Sequence, residues 1–174
     1  MGELLERAIA IARDAHEGQT DKANRPYFLH PEAVAGFVDT EEEKIVAYLH
    51  HIVEISNNLL LLGVMEDHPD YMTVAEFRGI FGDAVTDALL LLRHDRDDSY
   101  AEYIEKIRCS GNRLAIRVKI ADLRHNMDVS RGITIADARE RELFYLRRNE
   151  KVQSCYMPAF HILSERLRAI DERV

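Results

Sequence analysis

The sequence has no tryptophan, only four prolines, two cysteines and no long apolar run. A helix needs about 20 apolar residues to cross a bilayer, so we expect no membrane span. The N-terminus lacks a basic segment followed by an apolar stretch, so no secretory signal is predicted. Cys109 and Cys155 are far apart and fit neither a zinc knuckle nor a disulfide framework. We therefore expect a reducing, cytoplasmic location.

Positive charge is also scarce, with 23 basic against 31 acidic residues and a net charge of −8. A general nucleic-acid-binding protein would show a basic stripe, so nucleic acid is not an expected partner. A local group of lysines and arginines can still hold an anionic small molecule on an acidic protein. With 47% hydrophobic residues in 174 positions, the composition is that of one globular domain.

Apolar residues recur with helical spacing along most of the chain, and no segment shows sustained alternation of apolar and polar positions. We therefore predict an all-α fold, a single-domain helical bundle over residues 1–174 without a sheet. Helix signals include a C-cap at Gly18, Pro31 in a first turn, and capping boxes that begin at Thr73 and Ser99. The predicted helices cover residues 4–15, 31–38, 42–51, 83–93, 112–127, 137–157 and 158–173, and residues 57–71 are predicted to be a partly ordered loop.

Two adjacent histidines are the first candidates for chemistry. His50 and His51 lie in an apolar segment, where a pair of imidazoles is hard to explain as ordinary surface. Glu54 lies one helical turn beyond His50, and this i, i+4 spacing would place the two side chains on one face. His30 directly precedes Pro31, which fixes where that histidine stands relative to the next helix.

A second predicted helix places Lys119, Asp122 and Asn126 on one face. Three histidines and one aspartate from three separate elements would make a competent site for a divalent transition metal. The alternative from the residues alone is a helical bundle with a polar cluster in its interior. Further along, arginines 139, 141, 147 and 148 alternate with glutamates, which favours a solvated, ion-paired helix face.

Three ordered motifs resemble those of a known family. They read AIARDAHEGQ (residues 10–19) with PYFLHP (26–31), AYLHHIVEIS (47–56) and KIADLRHNM (119–127). Their order and spacing resemble the HD-domain hydrolases related to SpoT and RelA and their small stand-alone homologues, over roughly residues 1–150. Three motifs in order are far more specific than any one of them.

The resemblance implies an all-helical bundle that holds one manganese ion and removes pyrophosphate from the 3′ position of ppGpp and pppGpp. Some relatives act on other phosphorylated nucleotides, including NADPH. Matched position by position, the resemblance implies metal ligands at His30, His50 and Asp122, with His51 at the fourth ligand position, an acidic catalytic residue at Glu54, and substrate contacts at Lys22, Asn126 and Tyr145. Lys119 and Arg124 are further basic residues available to bind the phosphates of the substrate.

Two positions depart from the family pattern. His51 stands where the family has a metal-binding aspartate, and Ile55 stands where it has a second acidic residue. A third imidazole favours zinc or nickel over manganese, because nitrogen is the softer ligand. Isoleucine cannot accept a proton from water, a role typically worth 10²–10⁴-fold in rate. We therefore expect hydrolysis by the usual mechanism to be much reduced or absent.

Three functions follow from these observations. The first is a metal-dependent nucleotide phosphohydrolase with weakened or altered activity. The second is a non-catalytic nucleotide-binding or regulatory module that keeps the pocket of a lost hydrolase. The third is an interaction domain that uses only the helical scaffold.

Overall fold

The computed structural model describes residues 2–51, 53–56, 59–62, 70–95, 97–130 and 135–173, and only the backbone within the strands between residues 53 and 72. Eight α-helices occur in these residues: α1 (Glu3–Ala15), α2 (Leu29–Ala35), α3 (Glu41–Leu49), α4 (Val74–Leu92), α5 (Tyr100–Ser110), α6 (Arg113–Met127), α7 (Ala138–Lys151) and α8 (Met157–Asp171). A π-helical segment, Val152–Tyr156, joins α7 to α8. The predicted helical bundle is confirmed.

Side-chain caps define where several helices begin. Thr73 and Ser99 each accept a hydrogen bond from the backbone N–H three residues later and complete the two predicted capping boxes. Thr40 forms a third box at the start of α3. The predicted C-cap at Gly18 is wrong, because α1 ends at Ala15 with His16 as its cap. Such caps satisfy backbone donors that a helix leaves unpaired in its first turn.

A small antiparallel sheet corrects the prediction that the chain has no strands. Its order is β1 (Val53–Ser56), β2 (Leu59–Leu62) and β3 (Asp70–Thr73), with Val53 opposite Leu62 and Leu59 opposite Thr73. A four-residue apolar run carries no period-2 signal, so the leucines of β2 did not predict a strand. The predicted loop over residues 57–71 is therefore wrong at β2 and β3, and its other residues lie outside the described ones.

The end of α3 also differs from the prediction. The helix stops at Leu49, His50 is its C-cap, and Glu54 already belongs to β1. The expectation that His50 and Glu54 share a helix face is therefore wrong. Val53 and Ile55 are β-branched, and such residues pack better on a pleated strand than in a helix.

The core lies between helices α3 and α6. Helix α3 packs against α1, α2, α4 and α6, while α6 also packs against α2, α4, α5 and α8. Among the fully buried side chains are Leu49 of α3, Phe77 of α4 and Leu123 of α6. This packing brings the polar residues of α2, α3 and α6 together on one side of the core.

No helix in the described residues is both long and apolar enough to cross a bilayer.

Candidate metal centre and adjoining cleft

Four side chains from three neighbouring elements meet beside the core. His30 lies in α2, His50 and His51 follow α3, and Asp122 lies in α6. One potential ligand atom from each of the four lies within 4.8 Å of all the others. The four residues named as metal ligands from the sequence are thus brought together.

The distances describe a convergent set of donors. His30 Nε2 lies 3.3 Å from Asp122 Oδ1, and His50 Nε2 lies 3.8 Å from the same oxygen. His51 Nε2 lies 3.0 Å from His30 Nε2. Three imidazole nitrogens and one carboxylate oxygen therefore face a common point.

His50 supplies the clearest sign that a ligand belongs here. Its Nδ1 donates a hydrogen bond of 2.6 Å to the Ala47 carbonyl, so in the neutral form of the ring the lone pair is on Nε2. That Nε2 is buried and makes no hydrogen bond within the described part of the chain. A buried nitrogen without a partner is costly unless something else uses its lone pair. The donor set accordingly fits a divalent transition metal.

Asp122 is held in its charged form by its surroundings. Burial alone would raise the pKa of Asp122, but Lys119 and the nearby histidines outweigh it, so that its pKa lies well below the usual range. Lys119 Nζ lies 2.9 Å from Oδ2, and Asn126 Nδ2 donates a hydrogen bond of 2.5 Å to Oδ1. The carboxylate is thereby fixed with Oδ1 towards the histidines.

His51 faces the cleft and keeps an exposed edge. Loss of hydration around its ring lowers the pKa of His51 well below the usual value, and the adjacent His50 acts in the same direction. The ring is therefore neutral near pH 7 and can offer a nitrogen lone pair to a cation.

Lys119 does not occupy the place expected of a substrate-binding residue. Its side chain is buried, and its ammonium lies 5.0 Å from the ring centroid of Tyr103 and 5.8 Å from that of Tyr100. Burial opposes the charged form, yet Asp122 and the two tyrosines raise the pKa of Lys119 above its usual value. Lys119 is the counter-ion of Asp122, and it does not line the cleft described next.

A cleft of about 870 Å³ opens from His30 and His51. Predicted substrate residues Lys22 and Asn126 line it, whereas Arg124 and Tyr145 do not. Arg124 instead lies over the Phe37 ring, 4.4 Å from its centroid. The other lining residues are Thr20, Asp21, Ala23, Asn24, Tyr27, Ile135, Glu140, Leu143, Phe144, Arg147, Arg148, Lys151 and Tyr156.

Helix α7 forms one wall of this cleft. The sequence suggested only a solvated, ion-paired face here, but Arg147, Arg148 and Lys151 line the cleft together with Phe144. Sequence reasoning missed them as site residues because their neighbours alternate in charge. The missed signal is the i, i+3 and i, i+4 spacing that places Phe144, Arg147, Arg148 and Lys151 along one side of a helix.

A tight loop presents Lys22 to the same cleft. Asp21 accepts hydrogen bonds from the backbone N–H groups of Ala23 and Arg25 and also pairs with the Arg25 guanidinium. Asn24 adopts a left-handed backbone with φ of 58°. Asparagine tolerates this conformation better than most residues. The loop therefore has a defined shape, and Arg25 is engaged within it.

His125 is a site residue that the sequence did not single out. It is buried in α6, and its Nδ1 lies 2.6 Å from Nδ1 of His30. The contact joins residues 95 positions apart, so only the fold reveals it. Glu54 and Ile55 lie opposite Leu61 and Leu60 in the sheet, and their side chains lie outside the described part of the structure.

Comparisons with known proteins found relatives among (p)ppGpp synthases and hydrolases. No protein-family model matches the chain. The bifunctional (p)ppGpp synthase/hydrolase SpoT of Escherichia coli K12 is 33% identical over 132 residues, which cover 71% of this chain and 17% of that protein. A guanosine-3′,5′-bis(diphosphate) 3′-pyrophosphohydrolase of Vibrio cholerae is 31% identical over 134 residues, covering 72% of this chain and 18% of that protein. The chain thus spans about a sixth of the length of these curated relatives.

A solved structure shows the same fold. It belongs to a metazoan orthologue of SpoT that hydrolyses ppGpp and has a role in starvation responses. The TM-score is 0.56 at 18% sequence identity, and the match covers 99% of this chain and 96% of the other.

Proposed function

Because the chain belongs to the family of SpoT-related, HD-domain hydrolase-like proteins, we propose that it is a metal-dependent phosphohydrolase with a reduced rate. Its proposed substrate is a phosphorylated nucleotide such as ppGpp. The observation that carries this proposal is the group of three histidines and Asp122 within 4.8 Å, placed at one side of a cleft with basic walls.

The cleft residues suit an anionic nucleotide. Lys22 from the loop and Arg147 and Lys151 from α7 all line the cleft, so that cations from two elements would neutralise phosphate groups bound there. Tyr27 and Phe144 provide aromatic faces against which a base can stack. Such a local basic group explains how a chain of net charge −8 binds an anion.

The reaction proposed is hydrolysis of a phosphate ester, in which water attacks phosphorus and the P–O bond to the sugar breaks. A bound divalent ion supplies a Lewis acid for a phosphoryl oxygen and lowers the pKa of water. The protein's part is to orient the reactants. Asn126 fixes the Asp122 carboxylate and also lines the cleft, and His51 reaches the cleft with a neutral ring.

We further propose zinc or nickel as the ion, in preference to the manganese implied by family resemblance. Three imidazoles and one carboxylate form a softer, less negative donor set than one that contains two carboxylates. Metal analysis of protein purified without added metal tests this choice. Stoichiometric manganese with no zinc or nickel would contradict it.

Turnover is tested with ppGpp, NADPH and a nucleotide panel, each with manganese, zinc and nickel, and with products separated by anion exchange. We expect slow, metal-dependent release of pyrophosphate from ppGpp that is lost in Asp122→Asn. Asp171→Asn makes the same chemical change on the surface of α8 and should leave the rate unchanged. Equal rates in the wild type and Asp122→Asn would contradict the proposal.

A second candidate function is a nucleotide-binding module without catalysis. It is favoured by the composition of the metal cluster, which contains Asp122 as its one carboxylate among the described residues. The double substitution His51→Asp with Ile55→Asp separates the two functions. If the wild type binds ppGpp by calorimetry without turnover while the double variant gains turnover, the binding module is the better description.

The cytoplasm is the location proposed for either function. Cys109 and Cys155 are both free thiols, which accords with a reducing compartment.

A further inference from the structure

His125 lies behind His30, on the side away from the other ligands. Its ring is buried in α6 and contacts His30 through the two Nδ1 atoms, which are 2.6 Å apart. The opposite nitrogen of His30, Nε2, points to the cluster, 3.3 Å from Asp122 and 3.0 Å from His51. His30 therefore has one nitrogen for the cluster and one for His125.

The short contact between the two Nδ1 atoms requires a single proton between them, since two lone pairs or two N–H groups would repel. A metal-binding imidazole nitrogen must be deprotonated. For His30 to offer Nε2 to an ion, its proton must therefore be on Nδ1. In that case His30 donates to His125, whose own proton then sits on its Nε2.

His50 shows the same arrangement with a different partner. Its Nδ1–H donates to the Ala47 carbonyl, which leaves Nε2 for the cluster. A backbone carbonyl can only accept, so the tautomer of His50 is set by the main chain. At His30 the acceptor in reach of Nδ1 is His125, whose own Nδ1 lies 2.6 Å away.

We propose that His125 is a positioning residue that fixes the tautomer and ring orientation of His30 for metal binding. This inference rests on the proposed metal-dependent function. Partners of this kind, which hydrogen-bond the second nitrogen of a ligand histidine, typically change metal affinity by about 10–100-fold when removed.

Two substitutions test the role of the acceptor. His125→Leu removes the hydrogen-bond acceptor and fills the buried position with an apolar side chain. His125→Asn places an amide oxygen, which can accept a hydrogen bond, close to the position of Nδ1. His161→Leu is the matched control, because it removes an exposed histidine from α8. Urea unfolding with a chelator present verifies that each variant is folded.

Zinc affinity, measured by competition with a chromophoric chelator, is the readout and does not depend on turnover. We expect His125→Leu to weaken zinc binding by about 10–100-fold, whereas His125→Asn and His161→Leu stay close to the wild type. In ¹⁵N NMR spectra of the zinc-bound protein, the Nδ1 of His30 should carry the proton.

Three results would overturn the inference. They are unchanged zinc affinity in His125→Leu, equal weakening in the Leu and Asn variants, and a proton on His125 Nδ1 in the zinc-bound form. In each case the wild type still binds zinc, so these results would not contradict the proposed function, which the turnover assay tests separately. A wild type that binds no metal would contradict both the inference and the proposed function.

Discussion

Asp122 contributes both to the candidate metal centre and to a buried ion pair in the core. Its Oδ2 pairs with Lys119 while its Oδ1 faces the histidines, and both members of the ion pair are buried. Lys119→Met would leave the carboxylate without its cation. Breaking a buried pair by removing one partner typically costs about 3–5 kcal/mol.

We therefore expect Lys119→Met to lower the free energy of unfolding by about 3–5 kcal/mol, measured by urea denaturation with a chelator present. The exposed pair of Lys106 and Asp98 provides the control, and Lys106→Met should leave stability nearly unchanged. Equal changes in the free energy of unfolding for the two substitutions would show that the buried pair stabilises the protein no more than the exposed pair does.

Glu43 gives a second prediction at the scale of the residue. Burial alone would raise its pKa, but hydrogen bonds from the backbone of Thr40 and Asp39 and the nearby Arg117 lower the pKa below its usual 4.5. The unfolded chain therefore binds a proton first as the pH falls. The contribution of Glu43 to stability is present above pH 4.5 and is lost as the pH falls through the folded-state value.

Glu43→Gln should accordingly destabilise the protein most at pH 6–7, and the difference from the wild type should shrink below pH 4.5. Urea unfolding at a series of pH values measures the difference. A constant difference across the series would exclude a contribution from the charge of Glu43.

Single residues also mark how far the sequence predicts the site. Motif spacing identified His30, His50, His51 and Asp122, which do meet in space. It did not identify His125, whose partner lies 95 positions away, or the cleft-lining side of α7. It also could not show that Lys119 points into the core, because a helical period gives shared faces without saying what each face meets.

Two glycines of α4 offer a matched pair of substitutions at the scale of the element. Gly82 has φ of 82° and ψ of 171°, a backbone conformation that L-residues rarely adopt, and it forms a kink within α4. Gly79 has an ordinary helical backbone, and a Cβ there would meet nothing within 4 Å. The same change to alanine should thus have opposite effects at the two positions.

Gly79→Ala should raise the free energy of unfolding by about 0.5–1 kcal/mol, because alanine loses less conformational entropy in a helix. Gly82→Ala should lower it by about 1–3 kcal/mol through backbone strain, although space for the methyl group is available. Thermal and urea unfolding measure both. If Gly82→Ala raised the free energy of unfolding, the positive φ at Gly82 would be contradicted.

Among the elements, helices were easier to predict than strands. The capping box at Ser99 predicts the start of α5, and apolar periodicity predicts both bounds of α6 within one residue of those observed. The sheet was missed because its strands have four residues each, too few to show a period. The helix predicted over residues 42–51 was also too long at its C-terminus. The observed α3 ends at Leu49, and β1 begins at Val53.

At the scale of the whole molecule, metal binding and folding should be coupled. The proposed ligands come from α2, α6 and the end of α3, which pack against one another in the core. An ion that binds only the folded chain adds about 2.7 kcal/mol of stability at a free concentration 100 times its Kd. The proposed site therefore predicts a metal-dependent melting temperature.

Thermal unfolding with and without saturating zinc tests this coupling. We expect zinc to raise the melting temperature of the wild type and a chelator to reverse the rise, with little response to zinc in His30→Ala. The exposed His161 again gives the control, as His161→Ala should respond like the wild type. The same rise in His30→Ala would locate the bound ion elsewhere.

The end of α3 at His50 has an electrostatic consequence for the metal centre. Peptide dipoles aligned along a helix sum to about half a negative charge at its C-terminus. Since His50 caps that terminus and belongs to the cluster, an ion held by the four residues would lie near the negative pole of α3. In that position the helix would supply part of the negative charge that a carboxylate at position 51 would have contributed, which would favour a dication at a centre with a single aspartate.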